Sequence, residues 1–424
     1  MSVPRRSGRA YAVAAAALAL VGVLVFGLVG SSTEGAERPN GANERPDGKG
    51  KKKKRKGAFR IGFVDNIYKH QDPGTRAEWL SNTRDIRASI VRLDVPWRNV
   101  VSNQPANPTD PNDPAYHWST IDNAVDDAAE RGFRVLITTC CAPDFAAPGP
   151  GQFRRGTYKP DPEMFGDFAR ALATRYEGQV KHFEAWNEPN LDPFLNPQYE
   201  GNRLTGPDVY RKLLNAFYAG VHNVQPNATV VAGSMAPYGD PPGGRRSRPL
   251  TFLRDLLCVK KGKKGRVLAA NCPQKAYFDV LAHHPINTSG GPKRSAIHPD
   301  DVTTPDMKNI VRTLRKAEKK KRTGTRGRHQ VWVTEFWWES DPPDKCTGVP
   351  VQRHKKWIGT ALRSFRRQGV KAAINFQIRD TPYENSQCGH NTLQTAPFFV
   401  NGETKPAFKA FRKFARRHAP RGSR

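Results

Sequence analysis

The chain has 424 residues, 37% of them hydrophobic, and 69 Lys and Arg against 39 Asp and Glu give a formal charge of +30. That is enough length and apolar content for one large catalytic domain with a substantial core, and no internal repeat is visible, which excludes an array of short units. The charge raises a nucleic-acid reading, but the cations fall in a linker, the loop Lys260 to Arg266, the helix Arg312 to Arg322 and the last residues, with no nucleic-acid module between them.

At the N-terminus Arg5, Arg6 and Arg9 precede an uncharged apolar run from Tyr11 to Gly30, the layout of an export signal or a signal anchor. The next stretch is rich in Gly, Pro, Asn and Glu and closes in Lys51-Lys52-Lys53-Lys54-Arg55-Lys56, with nothing apolar enough to fold. We divide the chain into a signal peptide or anchor over 1–32, a disordered basic linker over 33–58 and a folded domain over 59–420. The domain is expected outside the cytoplasm, secreted or held at the cell envelope by the N-terminal segment.

From Phe59 onward short apolar strands alternate with longer helical stretches, which implies a parallel sheet. The strand candidates are Phe59–Asp65, Ile90–Val95, Phe133–Thr139, Val180–Asn187, Thr229–Ser234, Phe278–His284, Gln330–Glu335 and Lys371–Gln377. Helical patterns lie between them at Ser119–Arg131, Pro162–Tyr176, Gly206–Asn223, Pro305–Lys321 and Gln352–Gln368, several opened by Pro or a capping residue. Lys405 to Phe414 spaces its phenylalanines by three and supplies a final helix. Eight strand–helix units predict an α/β fold, a (β/α)8 TIM barrel. The competing doubly wound sheet lacks its Gly-x-Gly-x-x-Gly after the first strand.

Two stretches carry the chemistry. His182-Phe183-Glu184-Ala185-Trp186-Asn187-Glu188-Pro189-Asn190 and Val331-Trp332-Val333-Thr334-Glu335-Phe336-Trp337-Trp338 each read as a strand ending on a glutamate. A barrel presents its catalytic edge at the strand ends, and glycosidic bond cleavage needs two carboxylates, one protonated and one ionised. Glu188 also reads as a capping carboxylate in an Asn-Glu-Pro turn. Glu339 and Glu184 compete with Glu335; Glu339 is expected to be solvated, and Glu184, deeper on its strand, to be buried and paired. Arg92 reads equally as a salt bridge inside the sheet, and His284 as a satisfied loop histidine. Trp186 is assigned to the core, whereas Trp337 and Trp338 are expected near the strand end, where exposed indoles stack on sugar faces.

The six cysteines form an even set that suits an oxidising compartment. Cys258 and Cys272 flank a short Lys/Gly-rich segment they could close, and Cys346 and Cys388 follow the last two strands. Cys140-Cys141 is read either as free buried thiols or as a strained bridge between neighbours.

Trp186-Asn187-Glu188-Pro189-Asn190 together with Thr334-Glu335-Phe336 resembles the retaining glycoside hydrolases of clan A, the cellulase-like superfamily of TIM barrels, nearest to family 39 or family 5 types. Phe183-Glu184-Ala185 looks most like the β-xylosidase and iduronidase branch, family 39. The resemblance covers Phe59 to Phe414 in strand order and departs at two positions: Ile286 stands where a tyrosine is expected, and Gln377 follows Phe376 where a sugar-platform tryptophan is frequent. No β-sandwich domain is expected after the barrel.

The resemblance implies Glu188 as acid/base at the end of strand four and Glu335 as nucleophile at the end of strand seven. It further implies Asn187 bonding the sugar 2-hydroxyl, Arg92 buttressing the nucleophile and lowering its pKa, and His284 at the strand-six histidine. The mechanism is a double displacement with retention, needs no metal or organic cofactor, and requires the carboxyl groups ~5–5.5 Å apart. The expected substrate is a poly- or oligosaccharide. A monomer is expected, with an anionic envelope polymer or lipid as second partner and no nucleic acid. The alternative is a catalytically silent glycan-binding envelope protein on the same barrel.

Overall fold

The computed structural model describes residues 58–150, 153–287, 290–383 and 392–420. The apolar N-terminal run, the basic linker and Cys388 lie outside them. Among the described residues no helix is long and apolar enough to cross a membrane.

Eight parallel strands close into a barrel: β1 (Arg60–Val64), β2 (Ile90–Asp94), β3 (Arg134–Thr139), β4 (His182–Ala185), β5 (Thr229–Met235), β6 (Val280–His283), β7 (Gln330–Phe336) and β8 (Ala372–Phe376). Neighbours in the ring are neighbours in sequence, and β8 returns to β1 with Arg60 opposite Ala372 and Val64 opposite Phe376. Each strand is followed by a main helix, with one further helical turn at Trp97–Val100 after β2: α1 (Pro73–Asp85), α2 (Ser119–Glu130), α3 (Pro162–Arg175), α4 (Gly206–Val224), α5 (Pro249–Leu256), α6 (Met307–Lys319), α7 (Val351–Arg367) and α8 (Pro406–His418). The expected (β/α)8 barrel is the fold.

Helix starts follow sequence chemistry. Asp72 caps α1 by accepting from Thr75 N at 2.7 Å, and Asp161 caps α3 by accepting from Met164 N at 3.0 Å. In both the next residue is proline, whose fixed φ suits the first turn and whose missing N–H would have been unpaired there.

Alternate residues of each strand point into the barrel or out to the helices. The outward set joins the helices in one large core. Inside the barrel Val64, Ile90, Leu136, Val231, Ala282 and Trp332 belong to a second apolar cluster, a plug at mid-height. Gly62 belongs to that inward row, and a Cβ on it would stand 2.5 Å from the Ile90 side chain and from its carbonyl oxygen. Only a hydrogen fits there. One step further along the same rows, toward the strand ends, the buried inward residues turn polar: Arg92, Thr138, Glu184 and Thr334.

Cys258 and Cys272 are bridged across the hairpin formed by Val259–Lys261 and Val267–Ala269, as the spacing suggested. Cys346 is also disulfide-bonded. Of the two readings for Cys140-Cys141, the structure takes the bridge between neighbours. Cys141 adopts φ +62, and the pair sits just past β3, where its carbonyls accept from Trp97 N and Arg98 N.

Candidate active site

Glu335 stands near the end of β7, whose Val, Trp and Thr residues favour a pleated, buried strand. Glu188 arrives differently. β4 ends at Ala185, and the chain then turns through Trp186 at φ +74 and Glu188 at φ +40, conformations that cost a non-glycine residue ~1–3 kcal/mol each.

The surroundings hold that turn in place. Tyr210 Oη donates to the Ala185 carbonyl at 2.6 Å, Trp186 N to Thr139 O at 2.8 Å, and Ser234 Oγ to Trp186 O at 3.1 Å. Asn190, fully buried, donates to the carbonyls of Ala236 and Ser247 and accepts from Ala236 N, which ties the segment to the end of β5. Trp186 is buried with its indole N–H on Phe194 O, the core role expected of it.

Arg92 organises the floor of the site. Its Nη1 donates to Glu335 Oε2 at 3.2 Å, its Nη2 to Asn187 Oδ1 at 2.8 Å and its Nε to Thr138 Oγ1 at 2.8 Å. Glu184 Oε2 lies 3.2 Å from Nε and accepts from Thr138 Oγ1 at 2.6 Å, so Glu184 has the buried, paired role the sequence assigned. One guanidinium thus pairs both with the sheet-internal Glu184 and with Glu335. Burial alone would depress its pKa, but Asp94, Glu184 and Glu335 more than offset this and hold it above its ordinary value.

His284 joins the two glutamates. Its Nδ1 lies 3.0 Å from Glu188 Oε1 and 3.9 Å from Glu335 Oε2, while Nε2 lies 3.1 Å from Thr334 Oγ1. One nitrogen near both oxygens caps the Glu188 Oε1–Glu335 Oε2 separation at the sum of those distances, about 7 Å. Burial pushes the imidazole pKa down to about 4, so the ring is neutral at pH 7.

The carboxyls are also tuned by their surroundings. Burial raises Glu188 to about 7, with Arg92 opposing. Glu335 is likewise raised by burial, with His284 and Arg92 opposing. Arg92 lowers the Glu335 pKa, but desolvation outweighs the cation and the net value stays above the ordinary carboxylate value.

Two expectations change. Trp338 is part of the core, with its indole N–H on Gly290 O and its ring against Trp357 and Phe336, so it does not present a sugar platform. Trp337 is 6% exposed. Glu339 is not solvated: it is buried and accepts from Thr347 Oγ1, Thr392 Oγ1 and Leu393 N. The segment 392–394 folds over the end of β7 and closes that position.

Thr138, Asp94 and Lys69 are members of the site region that sequence reasoning passed over. Asp94 Oδ1 lies 3.1 Å from Arg92 Nη2, and Lys69 Nζ donates to the Asp94 carbonyl. Thr138 and Asp94 share inward parity with Leu136 and Arg92 on their strands, a signal the sequence carries. Among the described residues no group of His, Cys, Asp and Glu is arranged to hold a metal ion.

No family model and no curated protein matches the sequence. Among solved structures, the chain is similar to a family 39 glycoside hydrolase from the gut symbiont Bacteroides cellulosilyticus WH2, at 18% identity over 85% of this chain and 64% of that one, with a TM-score of 0.57. A family GH5_18 structure from Streptomyces cattleya matches at 14% identity over 86% and 82% of the two chains, TM-score 0.54. A glucosidase from Croceicoccus marinus matches at 16% over 85% and 68%, TM-score 0.53. The chain spans just under two thirds of the length of the first of these. The fold is thus the TIM barrel found in clan A glycoside hydrolases.

Proposed function

We propose that the domain is an exported retaining glycoside hydrolase that cleaves O-glycosidic bonds of a poly- or oligosaccharide by double displacement. The observation that carries this reading is the gathering of Glu188 and Glu335, from the ends of β4 and β7, around one buried neutral imidazole and one buried guanidinium. A carboxyl raised to about 7 is suited to give a proton near neutral pH.

Glu335, paired to Arg92, attacks the anomeric carbon while Glu188 protonates the departing oxygen. Glu188, now ionised, takes a proton from the water that displaces Glu335 and frees the sugar with its configuration retained. Neutral His284 supports both states of Glu188. It accepts from the protonated acid with its Nε2–H toward Thr334, or in the other tautomer donates to the carboxylate. Asn187 has its side-chain oxygen committed to Arg92, which leaves its N–H groups for a sugar hydroxyl beside the reacting carbon. The disulfides fit an oxidising compartment, in keeping with export.

The test is to incubate the protein and its Glu335→Gln variant with activated aryl glycosides and with plant and bacterial polysaccharides, following products by mass spectrometry. Release by the wild type, reduced at least about a thousandfold in the variant, is expected. Silence of both across the panel, with measurable glycan binding, would replace the enzyme reading with that of a glycan-binding protein.

A further inference from the structure

At the end of the barrel opposite the carboxylates, α1 and α2 close on Asp85 and Glu130, but the sector made by the starts of β1, β3 and β4 and the ends of α7 and α8 is cationic. At the starts of the strands the inward positions carry Arg60 on β1, Arg134 on β3 and His182 on β4, with Lys181 exposed beside them. Each helix runs back against its strand, so helix C-termini end at the same level, where the last turns of α7 and α8 bring Arg366, Arg367, Arg416 and Arg417. Phe59 N donates to His418 O at 2.8 Å and Arg60 N to Lys371 O at 2.9 Å, which sets the α8 terminus and the starts of β1 and β8 side by side.

These cations lean on one another. After burial, the charges acting on His182 are Arg134, Arg60 and Lys181, and those acting on His418 are Arg366 and Arg417, all lowering it. α7 and α8 contain no acidic residue. Among the described residues Lys181, Arg367, Arg416 and Arg417 make no ion pair within 4.0 Å. A basic residue in the last turn of a helix is ordinarily explained by the negative end of its dipole. That accounts for the helix ends, not for Arg60, Arg134 and Lys181 at strand starts, and the sum is a self-repelling surface that a polyanion would relieve.

We propose that this strand-start face is a docking surface for a linear polyanionic polysaccharide, which holds the domain with its catalytic cleft turned away from the anchoring polymer. The chemistry favours this occupant over a lipid surface because insertion into a bilayer needs a contiguous apolar stripe. Among the described residues the exposed large apolar side chains are the scattered Leu268, Tyr277, Ile297 and Val400. It favours a glycan over nucleic acid because no exposed aromatic residue interleaves the cations of α7, α8 or the β1, β3 and β4 starts to stack on bases.

The test measures binding of the full chain, carrying Glu335→Gln so that no polymer is cut. The ligands are polygalacturonate, neutral dextran, phosphatidylglycerol vesicles and duplex DNA. Polygalacturonate should bind tightest, at least tenfold more weakly in about 200 than in about 50 mM salt, and dextran should not bind. Lys181→Gln, Arg367→Gln, Arg416→Gln and Arg417→Gln together should weaken it at least tenfold. The same four changes without Glu335→Gln should leave melting temperature and aryl glycoside turnover unchanged. Tighter binding to vesicles or DNA overturns the proposal. So does an undiminished affinity in the fourfold variant alongside a loss when Lys51, Lys52, Lys53 and Lys54 are made Gln. The readout is binding, so an inactive wild type would count against the proposed function and not against this surface.

Discussion

At the scale of single residues the site is two carboxyls tuned by one shared set of neighbours. In the proposed mechanism Glu188 must be protonated for the first step and Glu335 ionised. The activity of the wild type should therefore fall as pH rises through about 7, and fall again on the acid side as Glu335 takes up its proton. Glu188→Gln should remove the alkaline limb of kcat/KM on aryl glycosides whose leaving groups need no proton, and an alkaline limb unchanged in that variant would refute the assignment. The same raised pKa bears on stability. The folded state holds the Glu188 proton more tightly than the unfolded chain, so this contribution is present below the ordinary carboxylate value and lost as pH rises through about 7. Glu188 and Glu335 were legible as carboxylates at strand ends, which converge in a barrel, whereas Asn187, Arg92 and His284 were placed through the resemblance to clan A glycoside hydrolases. Thr138 was not, because its hydrogen bonds reach Arg92 and Glu184 on neighbouring strands. Glu339 and Trp338 were misread for a related reason: distant segments, 392–394 and Gly290, cover them.

At the scale of elements the alternation of apolar strands and amphipathic helices was enough to place all eight strands within a few residues. The largest error lies at β4, expected to run to Asn187 and ending at Ala185, because Trp186 turns to positive φ under the pull of tertiary hydrogen bonds. The helices α1 and α5 did not stand out. α1 buries Arg76 and Thr83 alongside Trp79 and Leu80, which blurs its apolar stripe, and α5 is only eight residues long. The tight spot at Gly62 makes a prediction that belongs to the barrel rather than to the chemistry. Gly62→Ala should destabilise the domain by about 1–3 kcal/mol, since the clashing partner includes Ile90 backbone. Thermal unfolding measures it, and an unchanged melting temperature would mean β1 and β2 can move apart at no cost.

At the scale of the whole molecule, chemistry and attachment are assigned to opposite ends of one cylinder. The hairpin between α5 and β6 is stapled by Cys258–Cys272 far from the glutamates in the chain. Replacing both cysteines by Ser should lower stability by ~3 kcal/mol in the chain-entropy model, while KM and kcat on any substrate found remain those of the wild type. A change in those constants with stability intact would show that the hairpin reaches the cleft. The hydrogen bond from Phe59 N to His418 O also joins the two ends of the domain. It brings the first and last turns of the barrel domain within one bond of each other, so the ring is topologically indifferent to where it is cut. A circular permutant that joins the two by a few residues and opens an exposed loop elsewhere inherits every strand neighbour. A carrier fused at either end would leave the cleft facing outward, which makes the domain a natural candidate for display on surfaces.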